Sequence, residues 1–326
     1  MISRPRRNRS HPNIRHAMAE TSLQSKHLVL PLFFHGKRGD KEEIPSLPGV
    51  YRHSLDSLLD EVSQAIELGV SNFALFPAID EDLKDAMASE SANPDCLNNQ
   101  ALKAIRKKFE GAFLISDVAM DPYSSDGHDG VVKDGRILND ESLPILAQMA
   151  LNSARAGSHM VACSDMMDGR IGYIRKLLDE EGFQDVLVLS YCLKYASSFY
   201  GPFRDALESA PKFGDKKTYQ MDFHNVKEGL REIQLDEEEG ADWLMVKPGL
   251  PYLDVLRFAS ENSSLPVAAY HVSGEYAMLK AASLNGWLDY EACLMESLVS
   301  LRRAGASWIF TYGALDAARI LRQNLL

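Results

Sequence analysis

Two lysines each close an apolar, strand-like run and are each followed by a turn. Lys194 ends the run Asp185-Val-Leu-Val-Leu-Ser-Tyr-Cys-Leu-Lys194, and Lys247 ends Ala241-Asp-Trp-Leu-Met-Val-Lys247. An ammonium at the end of a buried strand loses hydration, which lowers its pKa. The neutral amine then adds to a carbonyl carbon and forms a Schiff base. One such lysine points to an aldolase-like enzyme; two point to two carbonyl substrates, each held covalently. For either lysine alone the alternative is a surface residue just past its strand.

Other polar residues stand at the ends of neighbouring runs. They are Asp117 and Asp121, Ser164 and Asp165, His271, Ser273 and Glu275, and Tyr312. Asp168 and Ser273 also sit where helix N-caps belong. The loop from Asp121 to Gly130 holds Asp121, Asp126, Asp129 and His128. Its oxygens suit Mg²⁺ or another hard cation better than zinc; a solvated Asx-turn loop is the plainer alternative. The segment 195–222 carries Arg204, Lys212, Lys216 and Lys217 among Phe199, Tyr200, Phe203, Phe213 and Tyr219. Such a segment can clamp a carboxylate, or be an exposed basic loop without a role.

Eight apolar runs position these residues: 27–34, 72–77, 113–120, 159–163, 186–193, 243–246, 266–270 and 308–312. Several are almost continuously apolar, as strands covered on both faces are. Between them lie segments of helical period. Leu55, Leu58, Leu59, Val62, Ala65 and Ile66 mark one face, and Ile145, Leu146, Met149, Ala150 and Ala154 another, with Pro144 placed in its first turn. A third face, at Leu294, Leu298, Leu301 and Ala304, stops at Gly305. Eight strands alternating with helices predict a (β/α)₈ barrel, an α/β fold of about 250 residues. An open doubly wound sheet is the rival, but no GxGxxG follows the first strand. The barrel is expected over 27–326, preceded by a polar, basic arm over 1–26.

The chain has 326 residues and a formal net charge of -11, with 45% hydrophobic and 25% charged residues. That composition is ordinary for a soluble globular protein, and the acidity argues against general nucleic-acid binding. No apolar run approaches the roughly 20 residues of a membrane span. The basic block Arg4-Pro-Arg-Arg-Asn-Arg9 lacks the apolar stretch of a signal peptide. The four cysteines are scattered without a CxxC pair, so neither a disulfide framework nor a thiolate zinc site is implied. A cytoplasmic location is the simplest expectation.

At these residues the chain closely resembles the porphobilinogen synthase, or 5-aminolevulinate dehydratase, family. The likeness runs from Arg4-Pro-Arg-Arg7 and Ser46-Leu-Pro-Gly-Val-Tyr51 through Ser164-Asp-Met-Met-Asp-Gly-Arg170 and Ser190-Tyr-Cys-Leu-Lys-Tyr-Ala-Ser197. It continues in Tyr200-Gly-Pro-Phe-Arg-Asp-Ala206, Met245-Val-Lys-Pro-Gly249 and Val272-Ser-Gly-Glu-Tyr-Ala277.

The resemblance implies a lyase that condenses two 5-aminolevulinate molecules to porphobilinogen with loss of water, early in tetrapyrrole synthesis. It implies a barrel with an N-terminal arm, assembled as a homo-octamer. Lys247 matches the lysine that holds the P-side substrate and Lys194 the A-side one. Ser273 and Tyr312 match P-side carboxylate binders, Arg204 an A-side binder, and Asp117 and Ser164 residues lining the reaction centre. Lys216 stands where a second A-side arginine is usual, so a bidentate fork becomes a point charge. Glu232 matches a residue serving an allosteric Mg²⁺. Where one form of the family carries three zinc-binding cysteines, this chain has Ala119, Asp121 and Asp129, which implies the zinc-independent form, dependent on Mg²⁺ or a monovalent cation such as K⁺. Other departures are Asp126 in place of a loop histidine, Cys163 in place of a proline, and Gly313 in place of an aromatic residue.

Overall fold

The computed structural model describes residues 2–323; residue 1 and residues 324–326, the last three of the expected barrel segment, lie outside the described residues. Eight parallel strands form the barrel: β1 (Leu28–His35), β2 (Asn72–Ala78), β3 (Phe113–Val118), β4 (Met160–Cys163), β5 (Leu187–Lys194), β6 (Trp243–Lys247), β7 (Val267–His271) and β8 (Trp308–Thr311). Each pairs with the next, and β8 pairs back onto β1 through Leu28↔Ile309 and Val29↔Phe310. That last pairing closes the barrel and excludes the open sheet.

The near-continuous apolar runs follow from this closure, since each strand has the barrel interior on one face and helices on the other. Val29, Phe33, Ala74, Ile115, Ala162, Leu189, Tyr191, Met245, Ala268, Tyr270 and Phe310 fill the interior. Alanines on β2, β4 and β7 leave the room that the tyrosines on β5 and β7 occupy, at the close-packed density of protein interiors. Pro31 sits within β1, where a missing N–H normally breaks a ladder. On its β8 side, however, β1 pairs only at Leu28 and Val29, and then with a short strand at Phe33 and Phe34, so Pro31 falls between pairings.

The helix Leu55–Glu67 starts at Ser54, whose hydroxyl accepts from the Ser57 backbone N–H, and Gly305 caps the helix Tyr290–Ala304 with a φ of 123°. The helix expected to begin near Pro144 starts earlier, spanning Asn139–Arg155 with Pro144 inside it. Asp140 and Glu141 in its first turn set that start through the helix dipole, and the proline removes one backbone hydrogen bond rather than ending the helix. The segment 195–222 is not a plain loop: it holds a 3₁₀ turn at Ser198–Tyr200 and the helix Gly201–Leu207. After the Asp121–Gly130 loop the chain forms a hairpin, Val131–Lys133 with Arg136–Leu138. In the arm, a 3₁₀ turn at Pro5–Arg9 and a helix at Pro12–Ala17 bury no residue.

Candidate functional site

The C-terminal strand ends converge as the fold requires. Lys194 and Lys247 are register partners on β5 and β6, so both side chains leave the sheet at the same level. Both are buried. The Lys194 Nζ donates to the Ser164 carbonyl at the end of β4. Lys247 stands among four aromatic rings, 5.3 Å from the Tyr191 centroid, 5.2 Å from Tyr200, 4.8 Å from Phe203 and 4.6 Å from Tyr270. Burial, and then the nearby Lys194 charge, bring its pKa down to about 7. Asp117, at the end of β3, is driven the other way: burial lifts it to about 7 against the pull of Lys247. Its Oδ1 is buried without a partner. Burial thus moves the lysine down and the carboxyl up at one barrel mouth, the directions that suit an amine nucleophile and a proton carrier.

Ser273 and Tyr312 flank this centre. The Ser273 hydroxyl donates to the Phe199 carbonyl (3.3 Å) and accepts from the Phe203 N–H (3.1 Å). A Cβ at Gly274 would lie 2.6 Å from the Phe199 carbonyl oxygen, so only glycine admits this approach of the 195–222 segment. The Tyr312 hydroxyl meets the Tyr270 hydroxyl at 3.2 Å, and its ring stacks on Phe33. Arg204 is partly buried on the helix Gly201–Leu207, and among the described residues no protein group accepts from its guanidinium.

Lys216 is placed differently from expectation. It is not a free donor facing the centre; its Nζ lies 3.1 Å from Asp121 Oδ2 and 3.1 Å from Asp129 Oδ2. The two aspartates read as hard-cation ligands are therefore brought together, but around an ammonium. Burial raises the Asp121 carboxyl, whereas for Asp129 the opposing charges of Lys216 and Lys194 outweigh burial and hold it low. Asp126 is half-buried, and its backbone carbonyl accepts from the Lys212 N–H at 3.0 Å. Glu232 lines a cavity of about 830 Å³ with Asp168, Asp222 and Glu228, and with Arg136 and Lys217.

Three features go beyond the residue-by-residue reading, which names Glu275 only as a polar residue at a strand end. Glu275 is buried and accepts from the N–H groups of Gly249 (3.2 Å), Leu250 (2.5 Å) and Val272 (2.7 Å), tying the turn after β6 to the turn after β7. Burial still pushes its carboxyl up to about 7. Arg170 forms a buried fork with Asp236 (3.0 and 3.3 Å) and donates to the Ser190 hydroxyl (2.9 Å). The third is the aromatic enclosure of Lys247. Glu275 alone carried a signal, as an acidic residue in the first turn of a helix.

A family model described as delta-aminolevulinic acid dehydratase matches residues 2–320. The chain belongs to the delta-aminolevulinic acid dehydratase family. It is 52% identical over 323 residues to the chloroplastic delta-aminolevulinic acid dehydratase of Oryza sativa, covering 98% of this chain and 76% of that one. With the enzyme of Bradyrhizobium diazoefficiens it shares 49% identity, covering 98% and 91%. A crystal structure of the Toxoplasma gondii enzyme, in complex with the reaction product porphobilinogen, superposes with a TM-score of 0.98 at 50% identity, covering 99% of this chain and 93% of that one.

The cytoplasmic location expected from the thiols is overturned. The relatives from Oryza sativa, Glycine max, Hordeum vulgare and Arabidopsis thaliana are all named chloroplastic. Unpaired cysteines report a reducing compartment, and that property does not separate the cytoplasm from a plastid.

The geometry gives a pH prediction. Imine formation at Lys247, followed by borohydride trapping, should rise about tenfold per pH unit below pH 7 and level off above it, because only the neutral amine adds. In Lys194→Met the midpoint should move up, since a like charge that depresses Lys247 is gone. A wild-type profile that climbs through pH 9 would show that Lys247 is not depressed.

Proposed function

We propose that this chain, a lyase of tetrapyrrole synthesis, condenses two 5-aminolevulinate molecules to porphobilinogen with Lys247 and Lys194 each holding one substrate as a Schiff base. The single observation that supports this most is the register pairing of two buried lysines at the mouth of one barrel. Tethering both partners converts a bimolecular condensation into a reaction between neighbours. Each iminium draws electron density from its substrate and so eases formation of the new bonds. Asp117 is the nearby proton carrier. Ser273 and Tyr312 serve the P-side carboxylate and Arg204 the A-side one. The 195–222 segment sets Tyr200 and Phe203 against Lys247 and would limit water there, which favours a reaction that expels water. Colorimetric detection of porphobilinogen from 5-aminolevulinate tests the reading. Borohydride trapping at one lysine alone would instead indicate a single-lysine aldolase on the same barrel, and absence of porphobilinogen a non-catalytic barrel.

Magnesium is the cofactor we propose, held at Glu232. Mg²⁺ takes one or two carboxylates and keeps several waters; Glu232, which feels the charge of Asp168, would supply a carboxylate in this cavity, with water completing the shell. Bound there, the ion would offset the carboxylate charge of Glu232 and its neighbour Asp168. Glu232→Gln should remove Mg²⁺ activation while leaving a basal rate. Activation that persists unchanged in that variant would place the ion elsewhere. Zinc is not part of the proposal, because Ala119, Asp121 and Asp129 offer no thiolate. The proposed assembly is a homo-octamer built through the N-terminal arm, whose exposed Ile14 and Met18 bury nothing on their own barrel; sedimentation reads it.

A further inference from the structure

The acidic loop sets Asp121 and Asp129 side by side in the interior, with Lys216 between them, and all three residues are buried. The ammonium contacts one oxygen of each carboxylate at 3.1 Å. That is the place, and the charge balance, that a bound cation would provide. The other donors of the loop are turned away. His128 faces the Tyr219 hydroxyl with Nδ1 (3.2 Å) and the Phe213 carbonyl with Nε2 (3.1 Å). One buried oxygen, Asp129 Oδ1, is left without a partner. Carboxylate oxygens fixed on either side of a positive charge do not make the octahedral oxygen shell that Mg²⁺ demands.

We infer that the resident cation of the acidic loop is the chain's own Lys216 ammonium, and that Asp121 and Asp129 bind no metal ion while it is in place. Lys216 rides on the 195–222 segment, so neutralising the acid pair and seating that segment are one event. The same segment is held nearby by Lys212, whose N–H donates to the Asp126 carbonyl (3.0 Å) and whose Nζ pairs with Glu81 (2.8 Å). The inference rests on the placement of three side chains and is independent of the turnover reading.

Manganese(II), followed by electron paramagnetic resonance, is the probe, and Glu232→Gln is the background that removes the outer carboxylate. With Lys216 intact, this protein should hold no Mn²⁺ that Asp129→Asn takes away. Adding Lys216→Met should create a site for one Mn²⁺ per chain, at least about tenfold tighter, and Asp129→Asn should abolish it. Mn²⁺ held with Lys216 intact and lost on Asp129→Asn overturns the inference. A folded Lys216→Met protein that gains no ion also overturns it. Should Lys216→Met fail to fold, the comparison with Lys216 intact still decides between the two.

Discussion

Lys247→Ala is expected to lower the rate of porphobilinogen formation by roughly 10⁴-fold or more, since tethering of a reaction partner is worth effective molarities of 10⁵ M and above. No other amine can take over the role: the next candidate, Lys194, ends the adjacent strand and is held by the Ser164 carbonyl. The enclosure of Tyr191, Tyr200, Phe203 and Tyr270 would remain as an apolar pocket, so substrate could still enter without being activated. The loss should therefore fall on kcat, with KM changed far less. Lys194→Ala should also lose most turnover yet keep a trappable imine at Lys247. A Lys247→Ala protein that retains a tenth of wild-type kcat would remove Lys247 from the chemistry.

The largest expected effect on stability is at Arg170. Its guanidinium is buried in a fork with Asp236, also bonded to Ser190, with Asp165 3.9 Å away. Arg170→Ala leaves Asp236 buried and uncompensated, which costs about 3–5 kcal/mol. Replacing the pair together, as Arg170→Met with Asp236→Leu, should recover much of that loss, because no charge is then stranded. Denaturant unfolding of the single and double variants measures both. The clamp joins the helix Gly229–Glu238, which carries Glu232, to the turn after β4, where Ser164 holds Lys194. Arg170→Ala should thus also weaken the Mg²⁺ activation proposed for Glu232. Equal stability of wild type and Arg170→Ala would show that water reaches Asp236 freely.

The barrel was legible because burial on both faces writes a strand as an apolar run, and each of the eight runs matches a strand to within a residue or two. Helix starts were less legible. Pro144 was read as a first-turn marker, although Asp140 and Glu141 set the start five residues earlier. The two lysines were legible because a charge at the end of a buried strand is costly and so conspicuous. Their surroundings were not. The rings about Lys247 come from β5, β7 and the 195–222 segment, and only the closed barrel brings them together. Residue type marked Asp121 and Asp129 as cation ligands, but it could not say which cation, because that depends on the path by which the 195–222 segment returns Lys216 to the loop. Glu275 and Arg170 act through backbone and carboxylate partners that are remote in sequence, and no local pattern reports such contacts.

The central claim is that two lysines of one chain each hold a substrate. The direct measurement is borohydride reduction of the wild-type protein with 5-aminolevulinate, followed by peptide mass spectrometry. Substrate adducts are expected on the peptides containing Lys247 and Lys194, with Lys247 labelled alone when Lys194 is absent. Adducts spread evenly over exposed lysines, or confined to a lysine other than these two, would contradict it.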